Sequence, residues 1–337
     1  MAATEIMAEV WRGGFLESLH LGAAAVCDSR GDLVAFWGDP QAVILPRSAC
    51  KMLQALPLVE SGAADHFSLG SEQLALACAS HQGARMHTDR VKRWLSVIER
   101  EEANLACGPQ APSRISDRDA LIQAGEAAGR RHNNCSGKHT GFLTLERRLG
   151  GGLAYVDTDH PVQKAVRAAY EDMTGETSPG FATDGCSAPN FATSLQGLAT
   201  AMARMANPSS LGETRSGAAR RLVSAMAKHP ELVAGEGRAC TGLMRAMDGR
   251  AVVKTGAEGV FTAILPERGL GVAIKIADGA TRASECAMAA LLVRLGAAEG
   301  DHPEVQARLN PTLRNWDGLD VGHISPAAAF WGGGTAI

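Results

Sequence analysis

A serine at position 48 and a lysine at position 51 stand three residues apart in Pro46-Arg47-Ser48-Ala49-Cys50-Lys51. They open a segment whose apolar spacing predicts a helix over 48–61, kinked near Pro57. At that spacing both side chains leave the same helix face, so the amine can reach the hydroxyl. A serine hydroxyl attacks a carbonyl carbon only when a base takes its proton. Lysine is such a base where burial and nearby positive charge hold it neutral. A helix start also favours the negative charge developing on the oxygen. By itself, a Ser–Lys pair three apart is an ordinary turn of solvated helix. Lys254-Thr255-Gly256 falls on a predicted strand near the C-terminus and brings a second lysine. Ser80 follows a second apolar helix over 72–79 and offers another hydroxyl; taken alone, it reads as a helix-end serine bonded to backbone.

The densest polar segment is Arg131-His132-Asn133-Asn134-Cys135-Ser136-Gly137-Lys138-His139-Thr140, ahead of a helix over 138–149. Cys135, Lys138 and His139 fall at helical spacings and project together. A second polar loop, Thr183-Asp184-Gly185-Cys186-Ser187-Ala188-Pro189-Asn190, carries its own cysteine. Two thiolates with a nitrogen or a water satisfy tetrahedral zinc. Single cysteines from two distant loops are a weaker metal signal than paired Cys-x-x-Cys, and the spacing leaves Lys138 and His139 both open as the nitrogen. Cys27, Cys50, Cys78 and Cys286 sit in apolar runs and read as small hydrophobes.

These groups need elements to position them. LGAAAVCDSRGDLVAFWG reads as a hairpin turning at Asp28-Ser29-Arg30-Gly31-Asp32. Val91, Trp94, Leu95 and Ile98 recur at helical spacing, and His160-Pro161 opens another helix with a buried stripe of Val162, Val166, Ala169 and Tyr170. Two Ala-rich helices are predicted over 191–206 and 216–228. After Asp248, three short apolar runs separated by Gly and Pro read as an antiparallel meander, and a helix over 281–295 precedes a Gly- and Pro-rich tail. Strands at both chain ends with helices between them predict an α+β fold. One antiparallel sheet is then formed by the two ends and flanked by helices, with a helical lobe beside it. We expect one continuous unit over 1–337, with a sheet lobe at about 1–45 and 248–337 and a helical lobe at about 46–247.

Composition bounds the partners. The 337 residues are 45% hydrophobic and 20% charged, with a net charge of −3, so there is no basic footprint for nucleic acid. Only 4% are aromatic, which predicts a core of closely packed small aliphatic side chains. The N-terminus lacks the charged and apolar regions of a secretory signal, and no run is long enough to span a membrane, so a cytoplasmic location is expected. In that reducing setting the cysteines are expected to serve metal, catalysis or packing rather than disulfides.

A Ser-x-x-Lys on a helix with a later Lys-Thr-Gly on a strand resembles the pairing in serine β-lactamases and penicillin-binding proteins. Over nearly the whole chain, PRSACKMLQALPLVESGA, ACASHQGARMHT, NNCSGKHTGFL, DTDHPVQ, DGCSAPNFA and VVKTGAEGVFTAILPERGLGVAIKIADGATRASE together resemble the rhizobial-type L-asparaginase II family. The resemblance implies a serine β-lactamase-like fold and hydrolysis of L-asparagine to L-aspartate and ammonia. It implies two catalytic pairs, Ser48 with Lys51 and Ser80 with Lys254. It implies zinc held by Cys135, Lys138 and Cys186 with a water, which favours Lys138 over His139. It also places Asp184 as a substrate-site carboxylate and implies a homodimer. Arg47 is the expected partner of the substrate carboxylate, since its fork matches two oxygens. The zinc is expected to tune substrate affinity rather than activate water. Three other readings stand beside this one: a β-lactamase or D-alanyl-D-alanine peptidase, an amidohydrolase using zinc-bound water, and a zinc-stabilised binding protein.

Overall fold

The computed structural model describes residues 3–334. Its frame is an eight-stranded antiparallel sheet built from both chain ends. From one edge, seven strands run in the order Thr312–Arg314, Asp320–Pro326, Glu5–Arg12, Phe15–Asp28, Leu270–Ile276, Val260–Leu265 and Val252–Thr255. The long strand Phe15–Asp28 pairs with Glu5–Arg12 over its first half. Its second half pairs with Leu270–Ile276 on one side and with the eighth strand, Leu33–Trp37, on the other. The predicted hairpin turn is closed by the Asp28 carboxylate, which accepts from the N–H groups of Arg30 and Asp32 at 2.9 and 3.1 Å.

The predicted meander is present, with Lys254 opposite Thr262 and Thr262 opposite Ala273. Val260–Leu265 is buried at every position, which requires cover on both faces. The helices Leu195–Ala206 and Thr281–Arg294 both pack on this part of the sheet. Small residues set the spacing: a Cβ at Gly271 would lie 2.2 Å from Ala199 O, so the helix backbone rests directly on the strand. The α+β architecture, with terminal strands sharing one sheet beside a run of helices, is the one read from the sequence.

Four local readings change. The tail beyond 310 contributes two strands, the edge strand Thr312–Arg314 and its neighbour Asp320–Pro326, as well as its Gly and Pro. Glu5–Arg12 is a strand that the sequence pattern did not single out. In Glu5–Arg12 and Asp320–Pro326 the apolar alternation is broken by exposed positions, and their pairing, such as Val10 with Ile324, joins opposite chain ends. The segment 191–206 is not one helix. It begins as strand at Pro189–Phe191 and Thr193–Ser194, and the helix starts at Leu195 because the Ser194 side chain accepts from Gly197 N–H as an N-cap. Finally, the chain enters the helix Lys51–Glu60 through a single 3-10 turn, Arg47–Cys50, and the helix continues through Pro57 to Glu60. Among the described residues, no helix is long and apolar enough to cross a membrane.

Candidate active site

The 3-10 turn Arg47–Cys50 presents Ser48, and the helix that follows is buried at every position except its last. Lys51 is therefore carried inward, where it is 1% exposed. Its Nζ donates to Ala79 O at 2.5 Å, Ser80 Oγ at 3.0 Å and Cys135 Sγ at 3.0 Å. Three acceptors around one nitrogen suit the three N–H donors of an ammonium. The hydrogen bond expected between Lys51 and Ser48 is not formed. Among the described residues, neither the hydroxyl nor the backbone N–H of Ser48 has a partner.

Ser80 emerges two residues after Cys78 caps the helix Ser71–Ala77, and its N–H donates to Val233 O at 2.8 Å. Its hydroxyl, on a residue 8% exposed, lies between two lysines. Lys254 Nζ is 2.7 Å from Ser80 Oγ and also donates to Thr255 O at 2.7 Å. Burial, reinforced by the Lys51 charge, pulls the Lys254 amine down to about 7. One lysine thus has the surroundings of a cation, while the other sits near the balance between ammonium and amine at neutral pH.

The strand bearing Lys254 is locked against the serine turn. Thr262, opposite Lys254, donates from Oγ1 to Ala49 O at 3.0 Å. A Cβ added at Gly256 would lie 2.7 Å from Pro46 O and 3.0 Å from Ala49 N, so the absence of a side chain there permits the approach.

The second cluster adjoins the first through Cys135, the residue that Lys51 touches. The sulfurs of Cys135 and Cys186 and a carboxylate oxygen of Asp184 lie within 4.8 Å of one another, and both cysteines are buried. Lys138 Nζ is 3.1 Å from Cys186 Sγ. His139 places its Nδ1 2.9 Å from the Tyr155 hydroxyl, and its ring also faces Cys186, where it helps hold that thiol below its usual range. A hydrogen bond from Cys135, with help from Lys138, holds the Cys186 thiol far below its usual range, while the same contact and burial push Cys135 up. Burial alone would lower Lys138, but the charges of Cys186, Cys135 and Asp184 and the hydrogen bond to Cys186 together outweigh it and push the amine up. Two neighbouring sulfurs, one of them held well below its usual range, a carboxylate oxygen and an amine form a donor set suited to zinc, which would take the place of the protons there. Asp184, expected only as a substrate residue, also belongs to this group.

Arg47 and Asp184 meet directly, with Nε 2.5 Å from Oδ1. Asp184 Oδ2 is also 3.4 Å from Cys186 Sγ. The structure therefore gathers Arg47, Lys51, Ser80, Lys254, Cys135, Lys138, Cys186 and Asp184 through direct contacts and brings Ser48 in on the turn that carries Arg47. Thr262, Tyr155 and Asn190 have no role in the reading from sequence, although Asn190 ends the polar loop that carries Cys186 and Thr262 lies in the string that carries Lys254. Each acts through a partner elsewhere in the chain.

The L-asparaginase II family profile matches residues 8–326. None of the curated proteins matches the chain. Two solved structures share a general likeness. One is named as a candidate beta-lactamase from Bacteroides dorei DSM 17855; it is 12% identical, with 76% of this chain and 84% of that one covered and a TM-score of 0.45. The other is a beta-lactamase from Mycobacterium bovis, 13% identical, covering 81% of this chain and 94% of its own, with a TM-score of 0.44. At these scores neither bears on the site, and the architecture rests on the strand order itself. With the profile extending from the first strand to the last, the chain belongs to the L-asparaginase II family.

Proposed function

We propose that the protein is an L-asparaginase, hydrolysing L-asparagine to L-aspartate and ammonia, with Ser48 as the nucleophile. Family membership supports an amide-hydrolysing enzyme acting on a small molecule. The observation that carries the residue assignment is Ser80 Oγ held between Lys254 Nζ at 2.7 Å and Lys51 Nζ at 3.0 Å, with Lys51 three residues after Ser48 in the chain.

Ser80 is the weaker nucleophile candidate. Its N–H is already given to Val233 O, so it has no donor left for an oxyanion, and its hydroxyl is committed to the lysines. Ser48 keeps both its hydroxyl and its N–H free. In the proposed reaction Ser48 Oγ attacks the side-chain amide carbon, and the Ser48 N–H donates to the resulting oxyanion. Lys51 takes the Ser48 proton as it passes one of its own to Ser80, and Ser80 passes its proton to the neutral Lys254 amine. The relay returns a proton to the leaving nitrogen, which departs as ammonia and leaves an aspartyl ester on Ser48. A water then attacks the ester carbon and gives its proton to the same relay, the carbon–Oγ bond to Ser48 breaks as the relay returns that proton to Ser48, and aspartate leaves.

The substrate carboxylate is assigned to the Arg47 guanidinium and its ammonium to Asp184. Cys135, Cys186 and Lys138, with Asp184 beside them, would hold zinc, whose charge would fix the Asp184 side of the substrate site and so tune affinity. The exposed apolar side chains Phe15, Leu16, Leu19 and Leu21 along one strand support a homodimer. A cytoplasmic location completes the reading.

The test is ammonia release from L-asparagine, run beside nitrocefin hydrolysis, for the wild type and Ser48→Ala. Turnover in the variant should fall by roughly three or more orders of magnitude, and acid-quenched wild type should carry an aspartyl adduct on Ser48. Near-normal turnover in Ser48→Ala, or nitrocefin hydrolysis without ammonia release, would sink the assignment.

A further inference from the structure

Arg47, immediately before the proposed nucleophile, has a backbone φ of +52°. A long side chain rarely occupies this left-handed region, and it stays there only where its surroundings over-determine it. Three contacts do so. The Arg47 guanidinium is bound to Asp184 at 2.5 Å, and Cys50 Sγ reaches Arg47 O at 3.3 Å. The third contact acts on the backbone N–H itself, which donates to Asn190 Oδ1 at 3.4 Å.

Asn190 is built to hold still. It is 3% exposed, on the short strand Pro189–Phe191, where it pairs with Ala182. The same hairpin carries Asp184 and Cys186, and it is closed by Asp184 N–H donating to Ala188 O at 3.0 Å. The other end of the serine turn is tied by Thr262 to Ala49 O. An ordinary φ near −60° would rotate the chain about the Arg47 N–Cα bond by roughly 110° and carry Ser48 away from the relay.

We propose that Asn190 is a positioning residue for the nucleophile: by accepting the Arg47 N–H it holds Arg47 in the left-handed conformation, and that conformation sets where the Ser48 hydroxyl and N–H stand. The inference rests on the reading of Ser48 as nucleophile. It assigns Asn190 no contact with substrate, so its loss should be felt in kcat rather than KM.

Four variants test it, each checked for folding by circular dichroism. Asn190→Ala should lower kcat for L-asparagine by about 10- to 100-fold with KM little changed. Asn190→Asp keeps an oxygen acceptor in the same place and should retain near wild-type kcat. In an Arg47→Gly background, where glycine adopts the left-handed backbone without strain, adding Asn190→Ala should cost little further kcat, although Arg47→Gly itself weakens substrate binding. Unchanged kcat in Asn190→Ala would overturn the inference. So would a loss confined to KM, a loss equally deep in Asn190→Asp, or the full cost persisting in the glycine background. Should Asn190→Ala fail to fold, the Asp variant and the glycine-background pair still decide. Ser48→Ala separates the two levels: near-normal turnover there removes the underlying reading, whereas an inactive Ser48→Ala beside a fully active Asn190→Ala removes this inference alone.

Discussion

Lys254 Nζ stands 2.7 Å from Ser80 Oγ, deep enough that the lysine is only 1% exposed, and the hydroxyl's other neighbour is Lys51 Nζ at 3.0 Å. Burial and the Lys51 charge bring Lys254 down to about 7, so near neutrality the relay ends in an amine able to accept a proton. With L-asparagine, kcat/KM should rise through pH 7 with a one-proton slope as Lys254 deprotonates. Lys254→Arg should lose most activity and that ionisation, because a guanidinium stays protonated. A profile flat between pH 6 and 8 would remove Lys254 from the base role.

The same ionisation has a sign for stability. Lys254 has a folded value below its unfolded one, so from about 7 up to its ordinary 10.5 the unfolded chain binds the extra proton and stability rises with pH. That contribution is lost as pH falls through about 7. Lys254→Met removes the buried charge while keeping the volume, so its melting temperature should exceed wild type at pH 6, with the gap closing towards pH 10. Thermal unfolding across that range measures it, and a gap independent of pH would contradict the burial cost.

How far this site could be read in advance depended on how local each feature is. Ser48, Lys51, Lys254 and the two cysteine loops stand in short strings whose chemistry is visible one string at a time. Which amine serves which hydroxyl is not local. Lys51 faces Ser80 rather than Ser48 because Ala79 O and Cys135 Sγ, delivered by other elements, surround its nitrogen. The meander and the buried helices were legible from apolar spacing. Glu5–Arg12 and Asp320–Pro326 were not, since exposed positions interrupt the apolar pattern of each strand and their pairing joins the two chain ends.

Cys186 is the sulfur held as thiolate, with Lys138 Nζ at 3.1 Å and Cys135 beside it. Cys186→Ser should weaken zinc retention, measured by metal analysis after dialysis against a graded chelator. The loss should reach about 100-fold or more, above the range for outer partners of a ligand. KM for L-asparagine should rise, with kcat at saturation changing little. A collapse of kcat in the folded, metal-free protein would show that the metal does more than tune affinity.

Arg47 and Asp184 hold each other at 2.5 Å, with side chains 25% and 11% exposed. If the pair opens to take the substrate's carboxylate and ammonium, Arg47→Lys keeps the charge and loses the fork. A lost hydrogen bond to a charged group costs about 1.5–3 kcal/mol, so kcat/KM should drop by one to two orders of magnitude, mostly through KM. Unchanged KM in Arg47→Lys would mean that the carboxylate binds elsewhere.

Gly256 lies at a close backbone approach between the serine turn and the Lys254 strand. A methyl there would meet Pro46 O at 2.7 Å and Ala49 N at 3.0 Å, both backbone atoms that cannot swing aside. Gly256→Ala must therefore push the Ser48 turn away from the Lys254 strand and stretch the Thr262 bond to Ala49 O, now 3.0 Å. Stability should fall by roughly 1–3 kcal/mol, the scale of overpacking a dense core, and kcat should fall with it because nucleophile and relay separate. Gly217→Ala is the control: it lies in the helix Glu213–Lys228, and nothing is within 4 Å of its added Cβ. There the substitution should stabilise the protein by up to about 1 kcal/mol through helix propensity and leave kcat alone. If Gly256→Ala kept full kcat while losing stability, the spacing between the turn and the strand would have no part in turnover.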